Sequence, residues 1–243
     1  MAVKKPPVQY TKTRDGVRIA FCVAGDGPPL LRSTIVGATH TEYDWDIFFR
    51  VLPRLAEHFR VAWYDARGTG NSERTVTSFG FDEMMLDIDA VASVVGFHRF
   101  AVLGFASGAS IALEYAARNP ETVASLVVVD GAMAGPATMT RLNTARAMAE
   151  LDWDVYTETM AKVLLAIDEP DYVRQLAEMY KATTTQDTYL RYYDESSNWH
   201  PRLDTIEQPT LVVNNRNLPW APLEVSQEIA AGVRGARLVR IDR

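Results

Sequence analysis

The sequence predicts an α/β fold: a mostly parallel central sheet with helices on both faces and a helical cap inserted after the sixth strand. Three observations predict it. Apolar, strand-like runs alternate with amphipathic helical stretches along most of the chain, the pattern of a sheet wound with crossover helices. The clearest strand, Val123-Ala-Ser-Leu-Val-Val-Val129, is an almost unbroken apolar run, as expected where a strand is covered on both faces. Residues 133–207 interrupt the alternation with helical segments rich in Met, Tyr and Trp and without a strand pattern. The boundaries drawn from this are a core of residues 1–132 and 208–243 and a cap of residues 133–207.

The elements follow in order. Residues 9–12 and 17–24 flank Arg14-Asp-Gly16, a turn that joins antiparallel strands. Residues 30–35 form the next strand, and residues 47–59 carry apolar positions at helical spacing. A strand at 60–64 ends in Asp65-Ala-Arg-Gly-Thr-Gly70, and residues 81–95 read as a helix. Residues 99–103 and 107–117 are a strand and a helix joined by a sharp turn. After the cap come a strand at 209–213, a helix at 225–233 and a strand at 236–241.

Composition bounds the function classes. A chain of 243 residues, 47% hydrophobic, can bury a large core. Its 25 Lys and Arg against 31 Asp and Glu give a net charge of -6, and no basic run collects, which argues against direct nucleic-acid binding. The one cysteine, Cys22, sits in an apolar alternating run and reads as a buried free thiol. No stretch has the length of a membrane span and the N-terminus lacks a signal-peptide pattern. A cytoplasmic location without membrane association is therefore expected. No two histidines share ligand spacing and no glycine-rich phosphate loop with its lysine is present, so neither metal nor cofactor is expected.

The turn Leu103-Gly-Phe-Ala-Ser-Gly108 has the form Gly-x-x-x-Gly between a strand and a helix. Together with Tyr64-Asp-Ala-Arg-Gly-Thr-Gly-Asn-Ser72, Ala116-Ala-Arg-Asn-Pro-Glu and Gln208-Pro-Thr-Leu-Val-Val213, in that order, it resembles the α/β-hydrolase fold superfamily. Within it, Thr39-His-Thr-Glu-Tyr-Asp-Trp45 and Leu151-Asp-Trp153 resemble the N-terminal modules fused to LuxR-type regulators or nucleotide cyclases.

The resemblance implies a site and shows where this chain departs from it. In such hydrolases a serine nucleophile sits between the two glycines, followed by an acid and a histidine, with two backbone N–H groups binding the oxyanion. Ala106 occupies the nucleophile position, and a methyl group cannot attack a carbonyl. The oxyanion donors implied are the N–H groups of Ser107 and Val36. The acid position aligns with Leu218, while Asp130 stands where some relatives keep an alternative acid; an Asp at a strand end more often serves as a local cap. The histidine implied after the last strand is not among residues 1–243.

A pocket between sheet edge and cap survives the loss of a triad, and such pockets are mostly apolar with a few polar anchors. The expected lining is His40, Asp44, Trp45, Phe105, Trp153, Trp199 and Trp220. His40 or Asp44 could anchor a ligand, and Tyr43 and Asp44 could instead cap the following helix; for any single cap tryptophan, ordinary packing of a helical subdomain is the more frequent role. The reading is a small-molecule-binding or regulatory module without hydrolytic activity, taking an apolar or amphipathic molecule. It allows a homo-oligomer or a fused effector domain. The alternative is a serine hydrolase of esters, lactones or amides represented by an Ala106 variant or a truncated form.

Overall fold

Eight strands form one sheet in the computed structural model, which describes residues 3–47, 51–131, 133, 136–165, 169–218 and 221–242. The strands are β1 (Gln9–Lys12), β2 (Arg18–Ala24), β3 (Pro29–Arg32), β4 (Arg60–Tyr64), β5 (Phe100–Phe105), β6 (Val123–Val129), β7 (Thr210–Asn215) and β8 (Arg237–Ile241). Their spatial order is β1-β2-β4-β3-β5-β6-β7-β8. β1 pairs antiparallel with β2, and β2 antiparallel with β4; every other pairing is parallel. The mostly parallel sheet expected from the continuous apolar strands is therefore present.

Helices α1 (Val51–Ala56), α2 (Phe81–Val94), α3 (Gly108–Arg118) and α8 (Leu223–Gly232) accompany these strands. Among the described residues between β6 and β7 are the helices α4 (Pro136–Leu151), α5 (Trp153–Leu165), α6 (Pro170–Thr183) and α7 (Gln186–Ser196), and a short turn of 3₁₀ helix. No strand occurs among the described residues between β6 and β7.

Elsewhere the differences have local causes. The helix expected over 47–59 is described only from Val51 to Ala56, and residues 48–50 lie outside the described residues. Residues 41–47 are successive turns, and residues 57–59 lie beyond the helix. β3 ends at Arg32 rather than at residue 35, because the chain leaves the sheet to form the loop that reaches the strand–helix turn.

The central strands are buried on both faces. Val102, Val123, Val128 and Val212 are fully inaccessible and join helices α2, α3 and α8 in the main core. On the other face Trp63, Leu52, Val61 and Leu103 form a second cluster. Burying each large aliphatic side chain contributes about 1.5–3 kcal/mol, so these two layers fix where the carboxyl edge of the sheet lies. Cys22 belongs to the second cluster, and burial pushes its thiol up to about 12, which makes it inert.

Candidate functional site

The turn between β5 and α3 is built as a strained elbow. Ala106 has φ 47°, the left-handed region that costs an L-residue about 1–2 kcal/mol. Two bonds hold it there: its N–H donates to Val129 O at 3.2 Å and its carbonyl accepts Ala109 N–H at 3.1 Å. The flanking glycines are needed for close approach. A Cβ on Gly104 would lie 2.8 Å from Ala109 Cα, and one on Gly108 would lie 2.4 Å from the Thr34 carbonyl. Strand, helix and the loop after β3 therefore converge only because these two positions lack side chains.

This convergence brings Thr34 and Ser33 against Gly108. Ser107 stands at the N-cap of α3, and its N–H, like that of Val36, donates to no acceptor among the described residues. Ser107 is half-buried while Ala106 is 8% exposed, so solvent reaches the elbow through residue 107. The Ala106 methyl packs in an apolar cluster with Ile35, Leu176, Ala177 and Tyr180, against which Phe105 also packs. Helix α6 thus covers the position that a nucleophile would occupy.

Asp130 also has a positive φ, 49°, and is buried at the end of β6. Its Oδ1 accepts the N–H of Asn215 at 2.6 Å, which ties β6 to β7 as a strand-end cap does. Leu218 is 5% exposed and sits in a turn closed by its N–H to Asn215 O. An aliphatic side chain is buried at the position the resemblance gives to the acid.

The residues of the loop after β3 separate into different roles. Asp44 is fully buried, forms an ion pair with Arg32 and accepts His40 N–H at 3.0 Å. Burial raises its carboxyl and Arg32 opposes that rise. Both its oxygens are occupied within the protein, so Asp44 holds the loop rather than facing a ligand. His40 is 4% exposed, meets Tyr43 edge-on and accepts Glu42 N–H on Nδ1 at 3.2 Å; burial lowers its pKa. Val36 is buried in the main core.

The aromatic residues expected at a pocket are likewise divided. Trp45 stacks on Trp63 with ring centroids 5.7 Å apart, inside the core beneath the loop. Trp199 stacks on Phe81 at 4.5 Å and meets Tyr192 edge-on. Trp153 is half-buried and stacks on Tyr156 within the cap. Trp220 lies outside the described residues. The structure therefore places Ala106 and Phe105 in one apolar cluster and Val36 in the main core, and uses Trp45, Asp44 and Trp199 for packing.

Sequence reasoning missed two sets of groups. Hydrogen bonds strap the cap to the loop after β4: Gly70 N–H to Thr183 O at 2.7 Å, Arg191 to Val76 O at 2.9 Å, and Phe79 N–H to Glu195 at 2.7 Å. Two hydroxyls under the cap, those of Tyr192 and Thr184, are buried with no hydrogen-bond partner among the described residues. Neither set has a sequence signature, since Tyr192 is one of several tyrosines on α7. Among the described residues no cluster of three or more His, Cys, Asp or Glu could hold a metal, and no helix is long and apolar enough to cross a membrane.

A strand–elbow–helix at the carboxyl edge of a mostly parallel sheet, roofed by helices inserted after β6, defines a hydrolase-type scaffold. A family profile described as alpha/beta hydrolase fold matches residues 36–242, and the chain belongs to that family. It is similar to the AB hydrolase superfamily protein YisY of Bacillus subtilis, 25% identical over 95% of this chain and 89% of that protein. A soluble epoxide hydrolase of a Corynebacterium species is 34% identical over a shorter stretch, 48% of this chain and 39% of that protein. Among solved structures, a hydrolase from Pseudomonas aeruginosa superposes with a TM-score of 0.79 at 26% identity, covering 96% of this chain and 89% of that one.

Proposed function

We propose that this chain keeps the hydrolase scaffold as a binding module and does not hydrolyse esters through its elbow. The observation that carries the reading is Ala106 itself. The elbow geometry that exposes a nucleophile is maintained at its cost in strain, while the side chain at its apex has no nucleophilic atom. The buried Leu218 at the acid position points the same way. The apolar cluster from α5 and α6 around Ala106 suits an apolar or amphipathic molecule, and binding beneath helices strapped to the core suits a regulatory role, in a single chain, an oligomer or a fusion.

The test pairs activity with binding. The unmodified chain, Ala106→Ser and Ala106→Ser with Leu218→Asp are assayed for p-nitrophenyl butyrate hydrolysis, and each is titrated with 1-octanol by calorimetry. The expected result is no turnover by the unmodified chain or by Ala106→Ser, with saturable octanol binding. Turnover by the unmodified chain, or no binding, would overturn the reading.

A further inference from the structure

Away from the elbow, α2, α3 and the chain that returns from the cap border a groove of about 540 Å³, lined by Phe81, Glu114, Arg118, Asn198, His200 and Arg202. Glu114 organises it. Its side chain is 3% exposed, and both carboxylate oxygens are engaged within the protein: Oε1 accepts from Arg118 Nε at 2.6 Å and Oε2 from the Arg202 main-chain N–H at 3.1 Å. The Arg202 Nε also stands 3.5 Å from Oε1. One buried carboxylate therefore holds two guanidiniums at the same groove, one from α3 and one from the segment after α7. A buried charge is tolerated only when it is paired, so these three side chains are fixed together.

The arrangement leaves hydrogen-bond donors over. A guanidinium carries five N–H groups, and Glu114 meets only the Nε of each arginine. Asp82, at the rim, takes Arg118 Nη1. The Nη groups of Arg202 and the side chains of His200 and Asn198 make no hydrogen bond among the described residues. Glu114 is the one acid of the lining, and neither of its oxygens is left for a ligand. Phe81 adds an apolar wall, backed by the Trp199 ring at 4.5 Å. The volume falls within the roughly 300–1,000 Å³ of small-molecule sites.

We infer that this groove binds a small aromatic acid. Arg202, with His200 and Asn198, holds its phosphate or carboxylate, and its ring lies against Phe81. The planar fork of arginine matches both oxyanions in bidentate fashion, and such charge-assisted bonds are about twice as strong as neutral ones. Arg118, shared between Glu114 and Asp82, adds positive charge beside them. A bound acid bridges α3 and the segment leading back from the cap, and stabilises that contact by mass action. The groove shares no residue with the elbow, so the inference stands apart from the binding reading above.

The experiment titrates the full chain by calorimetry with phenyl phosphate, with benzoate and with the neutral benzyl alcohol. It repeats all three on Arg202→Gln and on Arg174→Gln, a change at an exposed arginine of α6 outside the lining. Saturable binding of at least one acid is expected, about tenfold or more tighter than benzyl alcohol; the tighter of the two acids identifies the oxyanion. Arg202→Gln is expected to weaken that acid about tenfold and Arg174→Gln to leave it unchanged. Because the bond from residue 202 to Glu114 Oε2 comes from the main chain, Arg202→Gln is expected to melt within about 2 °C of the unmodified chain. If it melts lower, His200→Ala decides in its place: it removes a rim donor with no tie to Glu114 and is expected to weaken the acid severalfold. No saturable acid binding, equal binding of benzyl alcohol, or acid binding undiminished in the deciding variant would overturn the site.

Discussion

Asp130 and Asn215 lock the ends of β6 and β7 together, the Asp130 carboxylate accepting the Asn215 N–H at 2.6 Å while Asp130 N–H donates to Val213 O at 2.8 Å. The residue sits at φ 49°, a conformation asparagine tolerates and most side chains do not. Asp130→Asn keeps both the conformation and an acceptor, and is expected to change stability by less than about 1 kcal/mol. Asp130→Ala leaves a buried N–H unmatched and is expected to cost about 2–3 kcal/mol. Urea unfolding of the two variants checks the contrast; equal costs would mean that the bond carries no weight.

Ala106 stores strain that a glycine would release. Ala106→Gly is expected to raise stability by up to about 1 kcal/mol, and Ala106→Val to lower it by more than about 2 kcal/mol because a β-branched residue resists this conformation. Melting temperatures measure both, and a destabilised glycine variant would show that methyl packing against the cap outweighs the strain.

The Arg32–Asp44 pair is buried on both sides, at 1% and 0% side-chain exposure. Removing one partner strands a charge in the core, so Asp44→Ala is expected to cost about 3–5 kcal/mol, whereas replacing both with apolar residues, Arg32→Met with Asp44→Leu, recovers most of that loss. Denaturant midpoints of the single and double variants decide it.

Asp65 lies fully buried at the end of β4, accepting from Thr41 N–H at 2.7 Å and Asn71 N–H at 2.8 Å. Burial raises its carboxyl to about 7 against those hydrogen bonds, and the charge of Asp44 adds to the rise. A raised acid favours the folded state while protonated, so its contribution is full below the unfolded value of 3.8 and fades as pH climbs to about 7. The unmodified chain is therefore expected to lose stability through this group between about pH 4 and 7, and Asp65→Asn to show a flatter profile. Unfolding midpoints across that range measure the slope; an unchanged slope would assign the effect elsewhere, with Asp87, raised to about 6 mainly by burial, as the next group to replace.

Much of the scaffold is legible in the residues. The run Val123–Val129 specifies a strand buried on both faces, and the two glycines around Ala106 specify a tight strand-to-helix turn, because both follow from short-range sterics and periodicity. Helix α1 ends at Ala56, before the last apolar position that its spacing suggests, Phe59. The aromatic residues were far less legible. Trp45 and Trp153 have the same intrinsic preference for burial, and only the packing partners, Trp63 for one and Tyr156 for the other, place one in the core and one in the cap.

By itself the sequence determined the family-level architecture and the alanine at the elbow, since these depend on residue identity and on neighbours a few positions away. The tertiary structure alone decided that Asp44 is matched by Arg32, that Asp130 ties two strands, and that Tyr192 and Thr184 leave hydroxyls unmatched beneath the cap. Hydrogen-bond satisfaction is settled between segments far apart in the chain: Asp130 and Asn215 stand at the ends of different strands, and no local pattern records their meeting.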